Sequence, residues 1–146
     1  MKNLFALTLT LLLGYQAQAA VTASEFTADF IDQANHRLKI TNRERAASGK
    51  RLYCTSLSKE NEQAIKDLIK ENPEITVAEF TDKLANTLKC YPEFWAPWGR
   101  KGLGGMALNT KAYVMDTLLI RDVLQDLNDR ATVGDNEKVL DTYSRL

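Results

Sequence analysis

The sequence predicts an all-α protein: a small bundle of about five helices with one disulfide across a helical hairpin. Three observations predict it. Apolar residues recur at three- and four-residue spacing in successive stretches, with no strand alternation of any length. Capping signatures stand at the head of several of those stretches. The only two cysteines, Cys54 and Cys90, bracket a pair of them.

The first 19 residues carry the three parts of an export signal. Lys2 is the positive start, Leu4 to Leu13 the apolar run, and Ala17-Gln18-Ala19 a small-x-small cleavage site. That run is too short to span a bilayer, which takes about 20 apolar residues. The expected domains are therefore a signal peptide over 1–19 and a single helical domain over 20–146. Of the 146 residues, 127 remain after removal of the first 19, enough to bury roughly 65–70% of the unfolded surface. They keep 18 of the 19 basic residues and all 19 acidic ones. That near balance argues against nucleic acid, which calls for a basic domain, and against a polybasic membrane patch. Two cysteines in an exported chain point to an oxidising compartment, so the expected location is periplasmic or secreted.

The first mature helix is expected to start near Thr22, which stands three residues before Glu25 as a capping box requires. Phe26, Phe30, Ala34 and Leu38, with Ile31 beside them, form its apolar face. Ser48-Gly49 marks its end, because glycine takes positive φ cheaply. The second helix begins at Ser58 and turns Ala64, Ile65, Leu68 and Ile69 inward, until Asn72-Pro73 stops it. The third has Thr76 and Glu79 as a capping box and Ile75 and Phe80 as a hydrophobic staple. Its face is Phe80, Leu84, Leu88 and Tyr91, with Cys90 in its last turn and Pro92 closing it. A hairpin of these two helices brings Cys54 and Cys90 together.

A long helix is expected from about Asn109 to Asn128, with Ala112, Val114, Met115, Leu118, Leu119, Ile120, Val123, Leu124 and Leu127 covering more than one face. It is the expected central helix. A short final helix, Asp135 to about Arg145, turns Val139, Leu140 and Tyr143 inward.

Residues 92–106, PEFWAPWGRKGLGGM, break this periodicity and read as a loop. They hold both tryptophans, two of the three prolines and four of the seven glycines. Tryptophan and arginine are enriched at binding hot spots. Trp95, Trp98, Arg100, Lys101 and Gly102 are thus the candidate binding residues, against the alternative that the tryptophans fold back onto the helical core.

No catalytic constellation is spelled out. His36, the one histidine, has no nucleophile or orienting carboxylate at a suggestive spacing. No metal site is expected from one histidine and two bridged cysteines, and no cofactor motif is present. The glycines from Gly99 to Gly105 lack the GK[ST] ending of a P-loop. Glu93, beside Phe94 and Trp95, is the best single carboxylate for a glycosidase proton donor. The expectation is a non-enzymatic protein-binding module. A periplasmic chaperone or stress protein, or a small peptidoglycan hydrolase, remain as alternative readings.

Between residues 54 and 92 the chain also resembles a known family. Cys54, Asn72-Pro73-Glu74, and the run from Ala85 through Leu88, Cys90 and Tyr91 to Pro92 are similar to features of the periplasmic immunity proteins that neutralise peptidoglycan amidase effectors of type VI secretion systems. The resemblance implies a small, exported, disulfide-bonded helical inhibitor that occludes a toxin's cleft, often as a homodimer. It would place the occluding plug at Trp95 to Gly105.

Overall fold

A computed structural model of the protein describes residues 2–50, 52–90 and 114–143. Among them are five helices: α1 (Lys2–Ala47), α2 (Lys59–Glu71), α3 (Val77–Thr87), α4 (Thr117–Asn128) and α5 (Val139–Thr142). The protein is an all-α bundle, and Cys54 and Cys90 close the α2–α3 hairpin as a disulfide, their Cα atoms 6.0 Å apart. No helix among the described residues is long and apolar enough to cross a membrane.

Where the chain spells out a cap, the cap forms. Ser58 accepts the Asn61 N–H at the head of α2, and Thr76 accepts the Glu79 N–H at the head of α3. Each satisfies one of the backbone donors that a helix start leaves without a partner. At the other end of α1, Gly49 takes a φ of 66°, and the Ser48 and Gly49 N–H groups close onto the last-turn carbonyls. Thr22 and Glu25 lie within α1 rather than at its start, because the helix continues upstream to Lys2.

The core collects apolar residues from every helix. Phe26 and Phe30 from α1 meet Phe80 from α3 edge-on, with ring centroids 6.1 and 5.2 Å apart. Ile65 and Ile69 of α2 are fully buried, with Ala64 and Leu68 at the margin. The principal helix contacts are α1 with α4, α3 with α4 and α1 with α2. Helix α4 is therefore the central element, seated between α1 and α3.

Four expectations need correction. Helix α3 ends at Thr87, so Cys90 lies three residues past it, outside any helix, and not in its last turn. Helix α4 starts at Thr117 instead of near Asn109, because the Asp116 side chain accepts the Leu119 N–H and so caps the helix there. Within it Leu118 is 70% exposed, whereas Leu119, Ile120, Val123 and Leu124 are buried. The final helix spans only Val139–Thr142. Residues 135–139 instead spend their backbone groups on the start of α3. The Val77 and Ala78 N–H groups donate to the Glu137 and Asp135 carbonyls, and the Val139 N–H donates to the Ile75 carbonyl. Thr76 and Lys138 thereby form an isolated antiparallel bridge in a chain with no strand periodicity.

Candidate functional site

The sequence singles out Trp95, Trp98, Arg100, Lys101 and Gly102, and all five lie outside the described residues, as does Glu93. The structure does describe how the chain is held on either side of them, at Cys90 and at Val114.

The entry side is gripped twice. Cys90 is bonded to Cys54. One residue earlier, Asn61 of α2 takes the Lys89 backbone at both polar groups. The Lys89 N–H donates to Asn61 Oδ1 at 3.0 Å, and Asn61 Nδ2 donates to the Lys89 carbonyl at 2.8 Å. The other cysteine is treated in the same way. The Tyr53 N–H donates to Asn42 Oδ1 at 2.8 Å, and Asn42 Nδ2 donates to the carbonyls of Tyr53 and Cys54 at 3.2 and 3.1 Å. Each half-cystine thus follows a residue whose backbone is pinned by a helical asparagine. These segments lie in neither helix nor sheet, so their N–H and C=O groups need partners from elsewhere. A primary amide offers one acceptor and two donors. Both asparagines are buried, Asn42 at 8% and Asn61 at 5% exposure. Asn35 adds a third tie, its Oδ1 accepting the Leu57 N–H at 2.8 Å.

The exit side is held through Tyr53. Its hydroxyl donates to Asp116 Oδ2, while Asp116 Oδ1 caps α4. Val114 and Met115 are buried next to this cap. Burial and the neighbouring Asp116 carboxylate push the Tyr53 hydroxyl up to about 12, against a smaller opposing effect of Arg45. The Arg45 guanidinium sits over the Tyr53 ring, 4.5 Å from its centroid. The consequence is geometric: adjacent residues, Tyr53 and Cys54, hold the two ends of the chain between Cys90 and Val114.

No family model, curated protein or solved structure matches this chain.

The chemistry of this junction is that of an anchor. Among the described residues, no three His, Cys, Asp or Glu side chains are placed to hold a metal ion. His36 is exposed on the outer face of α1. One carboxylate outside the junction is perturbed upward: burial raises Asp122, with Arg37 opposing and Asp126 and Asp116 adding to the rise. Arg37 lies 3.9 Å from Asp122 and 3.4 Å from Asp126, so the three tie α1 to α4.

Asn42, Asn61, Tyr53 and Asp116 were not legible as site residues. In sequence, Asn42 and Asn61 are polar positions on helices with nothing to mark them as buried. Asp116 did carry a signal, since aspartate is a favoured residue at a helix start, but the apolar periodicity upstream of it masked that start.

Proposed function

We propose that this protein is an exported, non-enzymatic binding module that occludes the cleft of a secreted cell-wall-degrading toxin, using residues 95–102 as the contact. The supporting observation is the junction itself. The segment containing Trp95, Trp98, Arg100 and Lys101 follows one half-cystine in sequence and precedes a helix cap tied to the residue beside the other half-cystine. Holding both ends lowers the conformational entropy that the segment must give up on binding. Its two tryptophans and its arginine are the residue types that dominate binding hot spots. A disulfide also accords with an oxidising compartment, periplasmic or secreted.

The experiment is a pull-down of the exported protein from its own periplasm and from that of a competing strain, followed by affinity measurement on the captured partner. Trp95→Ala and Trp98→Ala are each expected to weaken that complex by about 2 kcal/mol while leaving the melting temperature unchanged. If both variants unfold without a separate binding defect, the tryptophans belong to the core and the plug is lost. Turnover of peptidoglycan by the protein alone would replace this reading with the hydrolase.

A further inference from the structure

The outer face of α1 carries a charge gradient. Asp29, Asp32, His36, Lys39 and Arg43 recur at three- and four-residue spacing and are all exposed, so they form one stripe along the helix. The stripe begins acidic and ends basic, and Lys50 continues the basic end beyond Gly49. Between Arg37 and Arg51 there are six bases and one acid, whereas residues 114–143 hold seven acids and three bases.

Two of those bases already have internal roles: Arg37 faces Asp122 and Asp126, and Arg45 covers the Tyr53 ring. Among the described residues, the side chains of Lys39, Arg43 and Lys50 enter no ion pair. The helix dipole does not explain them all. Its effect fades beyond the last turn, which Arg45 occupies and Lys39 does not.

These free cations stand at the end of α1 where Asn42 and Arg45 meet the Tyr53–Cys54 junction. The middle of the same helix meets Tyr143, whose hydroxyl donates to Asp29. The basic end of the stripe therefore lies beside the anchors of the proposed contact segment.

We propose that Lys39, Arg43 and Lys50 dock an acidic protein surface, the rim of the cleft that the proposed function assigns to the partner. The inference rests on that reading for the identity of the partner, while its test reads the α1 surface alone. A protein fits better than a uniformly negative membrane or duplex. Asp32 is seven residues from Lys39, about 10 Å along the helix, which is about one Debye length at physiological salt. An extended polyanion covering the basic half would also meet Asp29 and Asp32. A protein rim can be acidic on one side only.

The test is a titration of the exported protein with a short oligoglutamate peptide, followed by amide chemical shifts at low and physiological salt. Shifts are expected around Lys39, Arg43 and Lys50 and not around Asp29 and Asp32, with affinity falling as salt rises. Lys39→Gln, Arg43→Gln, Lys50→Gln together should weaken binding about tenfold. Arg43→Gln alone gives a smaller loss in the same direction and guards against misfolding of the triple variant. Binding that survives the triple substitution, or shifts located elsewhere, would overturn the proposal. So would equally tight binding of phosphatidylglycerol vesicles, or a salt-dependent change in oligomeric mass that the triple variant abolishes. A failed Trp95 or Trp98 test with this result intact would remove the plug and leave the acid-binding surface standing.

Discussion

Two places in this molecule fasten one stretch of chain to another, and they do so by opposite means. At the Tyr53–Cys54 junction the ties are made by side chains: a disulfide, two buried asparagines that each satisfy a backbone N–H and C=O, and a buried tyrosine on a carboxylate. At the clasp between the start of α3 and residues 134–139 the ties are backbone hydrogen bonds flanked by exposed ion pairs, Arg130 with Glu137 and Lys138 with Glu74. Water competes for the exposed ion pairs but scarcely reaches Asn42 and Asn61, or the clasp's backbone bonds at Ile75, Val77 and Val139. An asparagine lost from the junction leaves orphaned backbone groups, whereas an ion pair lost from the clasp leaves charges that solvent takes up. The comparison teaches that the side-chain ties bounding the proposed contact segment are more expensive to lose than the ion pairs flanking the clasp.

The largest effect expected from breaking this contrast is at the disulfide. Cys54→Ser with Cys90→Ser should cost roughly 3–4 kcal/mol, since the bond closes a 36-residue separation. Thermal melting with and without reductant checks it. The wild type should respond to reductant and the double variant should not; equal sensitivity would refute the bond.

Next come the amide pins. Asn61→Ala or Asn42→Ala should each cost about 1–3 kcal/mol in chemical denaturation, because two backbone groups lose their partners at once in the first and three in the second. A loss no larger than that of Arg130→Ala would erase the distinction between the two regions.

A pH scan separates the regions from both sides. The Tyr53 hydroxyl is raised in the folded state, so its contribution is complete below about 10, the ordinary tyrosine value, and is lost as pH rises through about 12. Tyr53→Phe should flatten that alkaline loss. Glu137 behaves oppositely. The Gly134 N–H and then Arg130 hold its carboxyl below the ordinary value, so its contribution exists above that value and disappears as pH falls through the lowered one. Glu137→Gln should remove this part of the acid sensitivity.

The smallest effect is expected at the clasp. Arg130→Ala should change stability by about 0–1 kcal/mol, since its pair with Glu137 is solvent-exposed on both sides. A larger cost would mean that this exposed pair contributes more than solvent-screened charges give.

Local chemistry was enough to read much of this fold from the chain itself. Ser58 and Thr76 announce their helices because a hydroxyl at that position meets a free N–H two or three residues on, whatever the rest of the molecule does. Ile75, Phe80 and the apolar positions of α1 and α2 are buried for the same kind of reason, since spacing alone puts them on one face. The cysteine pairing followed from having two cysteines at the ends of one hairpin. Tertiary contact decided the rest. Leu118 shares the apolar character of its neighbours, yet α1 and α3 cover only the other sides of α4. Residues 135–138 have helical neighbours, but the N–H groups of Val77 and Ala78 claimed their carbonyls first. Asn42 and Asn61 became anchors only when two non-helical segments, distant in sequence, arrived beside their helices with unpaired backbone groups. A polar side chain's value depends on the partner that folding delivers, and no spacing rule encodes that partner.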